Sequence, residues 1–121
     1  MLAGIEALRR DGVEQVSLVG GSLGGRAVAD CLTEEAAGEV ERVVLLSPAG
    51  ALAPERVPGR KLVVLSRGEP GAARIRALYE RMREPKELLE LEGDAHAQYV
   101  FRTGAGPGLE ERLVRFLAGA P

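Results

Sequence analysis

Residues 15–28 constrain the fold more than any other stretch of the sequence. An apolar run over 16–19 has the composition of a buried β-strand, and a helix-like run begins at Leu23. The turn between them reads Gly20-Gly21-Ser22-Leu23-Gly24, which fits the pattern G-x-S-x-G. A serine on such a sharp turn needs strained backbone dihedrals, and glycines beside it let strand and helix approach each other. The pattern predicts that Ser22 lies at the positive end of a helix, where backbone N–H groups favour developing negative charge.

Two other structures can produce a glycine-rich turn of this kind. A dinucleotide-binding loop needs G-x-G-x-x-G, and Ser22 or Leu23 stands where each register needs its middle glycine, so this alternative is excluded. An ordinary βα turn in which Ser22 caps the helix is compatible with the same residues. The choice between a reactive serine and a capping serine depends on which other side chains meet Ser22.

The rest of the chain alternates between helix-like and strand-like segments. The predicted helices cover 1–10, 23–37, 72–83 and 109–118, and the predicted strands cover 15–20, 42–47, 61–66 and 87–91. Proline-rich 48–60 and glycine-rich 103–108 are predicted loops, and Gly38 is expected to end the second helix. We therefore expect one α/β domain over 1–121, with three α-β-α layers and a short, mainly parallel sheet of about four strands.

Chemically useful residues follow three of the predicted strands. Ser22, Glu69 and His96 come after successive strands in that order, and His96 is the only histidine in the chain. Sites in parallel sheets lie beyond the carboxyl ends of the strands, so these three side chains are expected to meet. Asp94 competes with Glu69 as the acid beside His96, although it could instead cap a helix that starts at Ala95.

The chain resembles the C-terminal half of an α/β-hydrolase, and the resemblance covers nearly its whole length. The motifs that carry it are Gly20-Gly21-Ser22-Leu23-Gly24-Gly25, Ser66-Arg67-Gly68-Glu69 and Gly93-Asp94-Ala95-His96. The resemblance implies that Ser22 is an acyl-accepting nucleophile, His96 its general base and Glu69 the acid that orients His96. It also implies an elbow formed by Gly20, Gly21 and Gly24, with the Leu23 N–H as an oxyanion donor.

Two features depart from the family pattern. Four strands normally precede the elbow, and the loop after the third of them carries the second oxyanion donor. Ser22 comes too early for any of these strands, so the sequence offers one donor only. Residues 48–60 are also too few to form the lid that many family members insert, and we expect an open site.

Composition limits the remaining possibilities. The formal net charge of −2, with mixed signs, argues against nucleic acid as a partner. No apolar run approaches the roughly 20 residues of a membrane helix, and no signal-peptide pattern begins the chain, so a cytoplasmic protein is expected. The single cysteine, Cys31, is interpreted as small core filler, and neither a metal nor a cofactor is predicted. The absence of asparagine and the scarcity of glutamine are typical of thermophilic proteins, and GC-rich coding produces a similar composition.

Three functions fit these residues. The first is a serine hydrolase that cleaves small carboxylic esters or thioesters through an acyl-enzyme on Ser22. The second is a truncated or non-catalytic half-domain that binds a ligand or partner. The third is an acyltransferase that uses the same acyl-enzyme and passes the acyl group to an alcohol or thiol.

The missing strands also lead to an expectation about assembly. In the family the elbow strand lies inside the sheet, but here residues 15–20 are expected to form an edge. Unpaired backbone groups on an apolar edge favour pairing with another chain. We therefore expect a homodimer in which two elbow strands pair antiparallel.

Overall fold

The structure is a computed structural model that describes residues 1–32 and 40–120. Its helices are α1 (Leu2–Arg10), α2 (Leu23–Cys31), α3 (Ala72–Arg81) and α4 (Gly106–Ala118). Its strands are β1 (Val16–Gly21), β2 (Val40–Leu46), β3 (Arg60–Ser66) and β4 (Lys86–Leu91). Two short 3₁₀ helices, Pro54–Arg56 and Ala97–Arg102, lie in the connections after β2 and β4.

The four strands form one sheet in the order β1-β2-β3-β4, and every neighbouring pair is parallel. The register pairs Gly21 with Leu46, Leu46 with Val64, and Ser66 with Leu91. Because all strands run the same way, their carboxyl ends meet at one edge of the sheet. The expected α/β class and the parallel sheet of four strands are confirmed.

The two central strands are covered on both faces. Residues 43–46 of β2 and 62–65 of β3 are buried without interruption, as continuous apolar runs predict. Helices α1, α2 and α3 supply Ile5, Val28 and Ile75 to the core on one face. On the other face α4 and the second 3₁₀ helix supply Leu109, Phe116 and Val100. The sheet therefore lies between two helical layers, as expected.

Helix α4 begins earlier than the sequence pattern indicated. Residues 106–108 were expected to belong to a glycine-rich loop, but they form the first turn of the helix. Pro107 suits this position because an N–H in the first helical turn has no partner within the helix, so its absence costs nothing, and because the φ of proline is already helical.

Helix α2 ends at Cys31 in the structure. The predicted extension of this helix over 33–37 and its predicted end at Gly38 lie outside the described residues.

Strand β1 lies at an edge of the sheet. Its Val16 is buried and Leu18 is half-buried, whereas the side chain of Val19 is 48% exposed. The apolar run over 16–19 indicated a buried strand, and this expectation is wrong at Val19, which packs into neither of the two cores. Within the described ranges, no helix is long and apolar enough to cross a membrane.

Candidate active site

Ser22 occupies the turn between β1 and α2 in a strained conformation. Its φ is 53° and its ψ is −119°, a combination that non-glycine residues rarely adopt. Its N–H donates to the carbonyl of Leu46 at 2.9 Å, and its carbonyl accepts from the N–H groups of Arg26 and Ala49 at 3.2 and 3.0 Å. These bonds hold the strained turn in place, as strain of this kind requires.

The glycines around Ser22 differ in what they allow. A Cβ on Gly20 would lie 2.6 Å from the carbonyl oxygen of Gly24 and 2.8 Å from a methyl group of Val28. Glycine at 20 therefore permits the close approach of β1 and α2. A Cβ on Gly24 would meet nothing within 4 Å, and one on Gly21 would make ordinary contacts. The expectation that the flanking glycines are needed for space therefore holds at Gly20 and is wrong at Gly21 and Gly24.

Gly25, which lies outside the five-residue pattern, has less room for a side chain than Gly21 or Gly24. A Cβ on Gly25 would lie 3.1 Å from both the Gly20 carbonyl oxygen and the Cβ of Pro48. Gly25 is buried in the first turns of α2, where the helix passes close to the segment after β2. The sequence contained it, but only the packing shows why it is glycine.

His96 reaches Ser22 from the segment that follows β4. Its Nε2 lies 2.8 Å from Ser22 Oγ, within hydrogen-bonding distance. The imidazole is 44% exposed, and the neighbouring Leu23 side chain, at the start of α2, is 75% exposed. The Ser22–His96 pair therefore opens to solvent.

Glu69 lies behind the imidazole, and its side chain is almost entirely buried. Its Oε1 is 3.0 Å from His96 Nδ1, and its Oε2 accepts from the Ser66 backbone N–H and the Ser47 hydroxyl, each at 2.8 Å. A carboxylate only accepts hydrogen bonds, so this contact favours a proton on Nδ1 and a lone pair on Nε2. The lone pair then faces the hydroxyl of Ser22.

Asp94, the alternative acid, does not share this position. It is exposed, and the carboxylate that meets His96 Nδ1 belongs to Glu69. The helix that Asp94 was expected to cap is a 3₁₀ helix that begins at Ala97 with His96 before it, so Asp94 is not its N-cap.

Ser47 is a site residue that the sequence analysis missed. It directly follows β2, is buried, and joins Glu69 Oε2 to the backbone N–H of Ala97. A signal was present, since a serine after an apolar run at the carboxyl edge is placed by the same rule that singled out Ser22 and Glu69. Among residues 1–32 and 40–120, no group of three or more His, Cys, Asp or Glu side chains is arranged to hold a metal ion.

No family model matches the sequence, and no curated protein matches it. The fold is similar to that of a protein from Thermoplasma acidophilum described as a predicted CIB-like hydrolase, with a TM-score of 0.71 and 19% identity over 96% of this chain. It is also similar to a monoacylglycerol lipase from Paleococcus ferrophilus, with a TM-score of 0.77 and 16% identity over 98% of this chain. The chain spans 57% of the first neighbour and 74% of the second. The chain therefore shares the fold of these two proteins, and this likeness supports an α/β-hydrolase-like fold.

Proposed function

We propose that this protein is a serine hydrolase of small carboxylic esters or thioesters. The observation that carries the proposal is one continuous line of hydrogen-bonding contacts. Ser22 Oγ lies 2.8 Å from His96 Nε2, and His96 Nδ1 lies 3.0 Å from Glu69 Oε1. A capping serine would need neither a histidine nor a buried carboxylate behind it, so the arrangement favours a nucleophile.

The geometry supports acyl transfer through a covalent intermediate. As Ser22 Oγ bonds to the substrate carbonyl carbon, its proton passes to His96 Nε2, and the carbonyl electron pair moves onto oxygen. The bond to the leaving group then breaks, and His96 returns the proton to the departing oxygen or sulfur. Water repeats the sequence on the acyl-enzyme, while Glu69 stabilises the imidazolium in both halves of the reaction.

The start of α2 supports the charged intermediate. The Leu23 N–H, next to Ser22 at the positive end of the helix, can donate to the developing oxyanion. Losing one donor of this kind typically costs about 10²–10³ in rate, so we expect slow turnover unless a second donor is supplied. The open surface around His96 suits small or extended acyl groups, and the lipase activity named for one neighbour supports an ester substrate.

A non-catalytic half-domain is the second candidate function. It is favoured by the position of β1 at the edge of the sheet that the described residues form. In that case the unpaired edge beside Ser22 would serve for binding rather than for catalysis.

Labelling with a fluorophosphonate separates the two candidates. We expect the protein to be labelled at Ser22 and to hydrolyse a short p-nitrophenyl ester, and Ser22→Ala and His96→Ala each to abolish turnover with little change in the thermal transition. Ser17→Ala is the matched control, because Ser17 is an exposed serine on β1, the strand that precedes Ser22. Unchanged turnover in Ser22→Ala would exclude the hydrolase, and an unlabelled wild-type protein would favour the half-domain. Turnover that is redirected to an added alcohol would identify an acyltransferase.

A further inference from the structure

We propose that Ser47 is a positioning residue that orients the Glu69–His96 pair through its hydroxyl group. This inference rests on the proposed function, because orienting the pair matters only if His96 acts as a base. Ser47 does not contact Ser22 or the imidazole through any described hydrogen bond. Its effect would pass through Glu69 and through Ala97, the residue that follows His96.

The hydrogen bonds of Ser47 have a fixed direction. Ala97 donates its backbone N–H to Ser47 Oγ at 3.0 Å, and a backbone N–H can only donate. The hydroxyl proton of Ser47 is then free to point at Glu69 Oε2, 2.8 Å away. One hydroxyl therefore joins the loop that carries the acid to the loop that carries the histidine.

This direction propagates to the reacting atoms. Glu69 Oε2 accepts from the Ser47 hydroxyl and from the Ser66 N–H, which leaves Oε1 for His96. Oε1 then accepts a hydrogen bond from the Nδ1–H of His96, so the lone pair on Nε2 faces Ser22 Oγ. The carboxylate itself favours the proton on Nδ1, and the donors that begin at the backbone of Ala97 hold this carboxylate in place against the imidazole.

The backbone at both ends of this bridge is strained. Ser47 has a φ of 43° and Ala97 a φ of 51°, in the left-handed region that non-glycine residues seldom adopt. Glycine would adopt such angles at lower cost. A serine at 47 supplies what glycine lacks, a hydroxyl, and that hydroxyl is buried between two groups of the candidate active site.

Ser47→Gly tests this role without adding backbone strain. We expect kcat for a p-nitrophenyl ester to fall roughly 10- to 100-fold with KM little changed, because small displacements of a catalytic group cost about this much. Ser47→Ala should behave alike. Thr103→Ala is the matched control, since the Thr103 hydroxyl also accepts a backbone N–H, from Ala105, and donates to a carbonyl, that of Val100, away from Ser22.

Nitrogen-15 NMR of the imidazole provides a readout that does not depend on activity. His96 is the only histidine in the sequence, so every imidazole signal comes from this residue. We expect the neutral ring to carry its proton on Nδ1 in the wild type, and to become a mixture of tautomers in Ser47→Gly. An unchanged tautomer together with an unchanged kcat would overturn the role of Ser47. A changed tautomer in a protein that a fluorophosphonate fails to label would retain the positioning contact and reject the hydrolase instead.

Discussion

Glu69 Oε1 and His96 Nδ1 lie 3.0 Å apart although the residues are 27 positions apart in the chain. Glu69 follows β3 and His96 follows β4, and the parallel pairing of these strands brings both segments to the same edge. The carboxylate is buried and the imidazole is half-exposed. Glu69 can therefore hold the imidazole through Nδ1, while Nε2 of His96 remains accessible to Ser22 and to solvent.

Glu69→Gln should reduce the proposed esterase activity strongly, by roughly 10³–10⁴ in kcat, because an amide no longer fixes the tautomer of His96 as a carboxylate does. Asp94→Asn is the matched control, since the exposed Asp94 makes the same carboxylate-to-amide change two residues from His96. Steady-state kinetics on a p-nitrophenyl ester compares the two variants. A large loss in Asp94→Asn with little loss in Glu69→Gln would assign the acid to Asp94.

Gly20→Ala should destabilise the fold by about 1–3 kcal/mol, because the new Cβ would overlap the carbonyl group of Gly24 and a methyl of Val28. Gly24→Ala should instead be neutral or stabilising by up to about 1 kcal/mol, since its Cβ meets nothing and alanine favours a helix. Urea unfolding of both variants measures the difference. Equal destabilisation by the two substitutions would show that space at the elbow is not what requires Gly20.

We expect the protein to form a homodimer through β1, because this edge strand has no charged side chain and Val19 is 48% exposed. Val19→Lys should convert the dimer to a monomer, since a lysine on the edge opposes pairing between strands. Val114→Lys introduces the same charge at a valine that is 62% exposed on α4 and should leave assembly unchanged. Sedimentation equilibrium at micromolar concentration is the measurement, and a stable wild-type monomer would contradict the expectation.

Lys61 should make the free energy of unfolding depend on pH in the alkaline range. Its side chain is buried, Nζ donates to the carbonyls of Val57 and Gly59, and burial lowers its pKa below the ordinary 10.5. Between the lowered pKa and 10.5 the unfolded chain binds more protons than the folded one, so the free energy of unfolding attributable to Lys61 rises with pH.

Urea unfolding of the wild type and of Lys61→Met between pH 8 and pH 10.5 isolates this contribution, because the other titrating groups are present in both proteins. We expect the stability of the wild type relative to Lys61→Met to increase as the pH approaches 10.5. A constant or falling difference would mean that folding does not disfavour the charged form of Lys61.

The local pattern of the sequence determined the strand, turn and helix around Ser22. It also determined the parallel α/β class and the order in which serine, glutamate and histidine follow successive strands. These features could be predicted because they depend on residue spacing and on the shared direction of parallel strands. No strand-like segment precedes residues 15–20, so β1 was predicted to lie at an edge of the sheet, and this prediction is confirmed.

Only the tertiary structure decided which side chains meet beyond the strand ends. Glu69 rather than Asp94 reaches His96, and Ser47 joins Glu69 to the backbone of Ala97, because the paths of the loops after β2, β3 and β4 depend on packing between distant segments. The same holds for Gly25, whose need for a small side chain comes from Pro48 across the turn. Spacing along the chain predicts at which edge of the sheet a residue lies. The direction of its side chain at that edge depends on contacts between distant segments, which spacing does not predict.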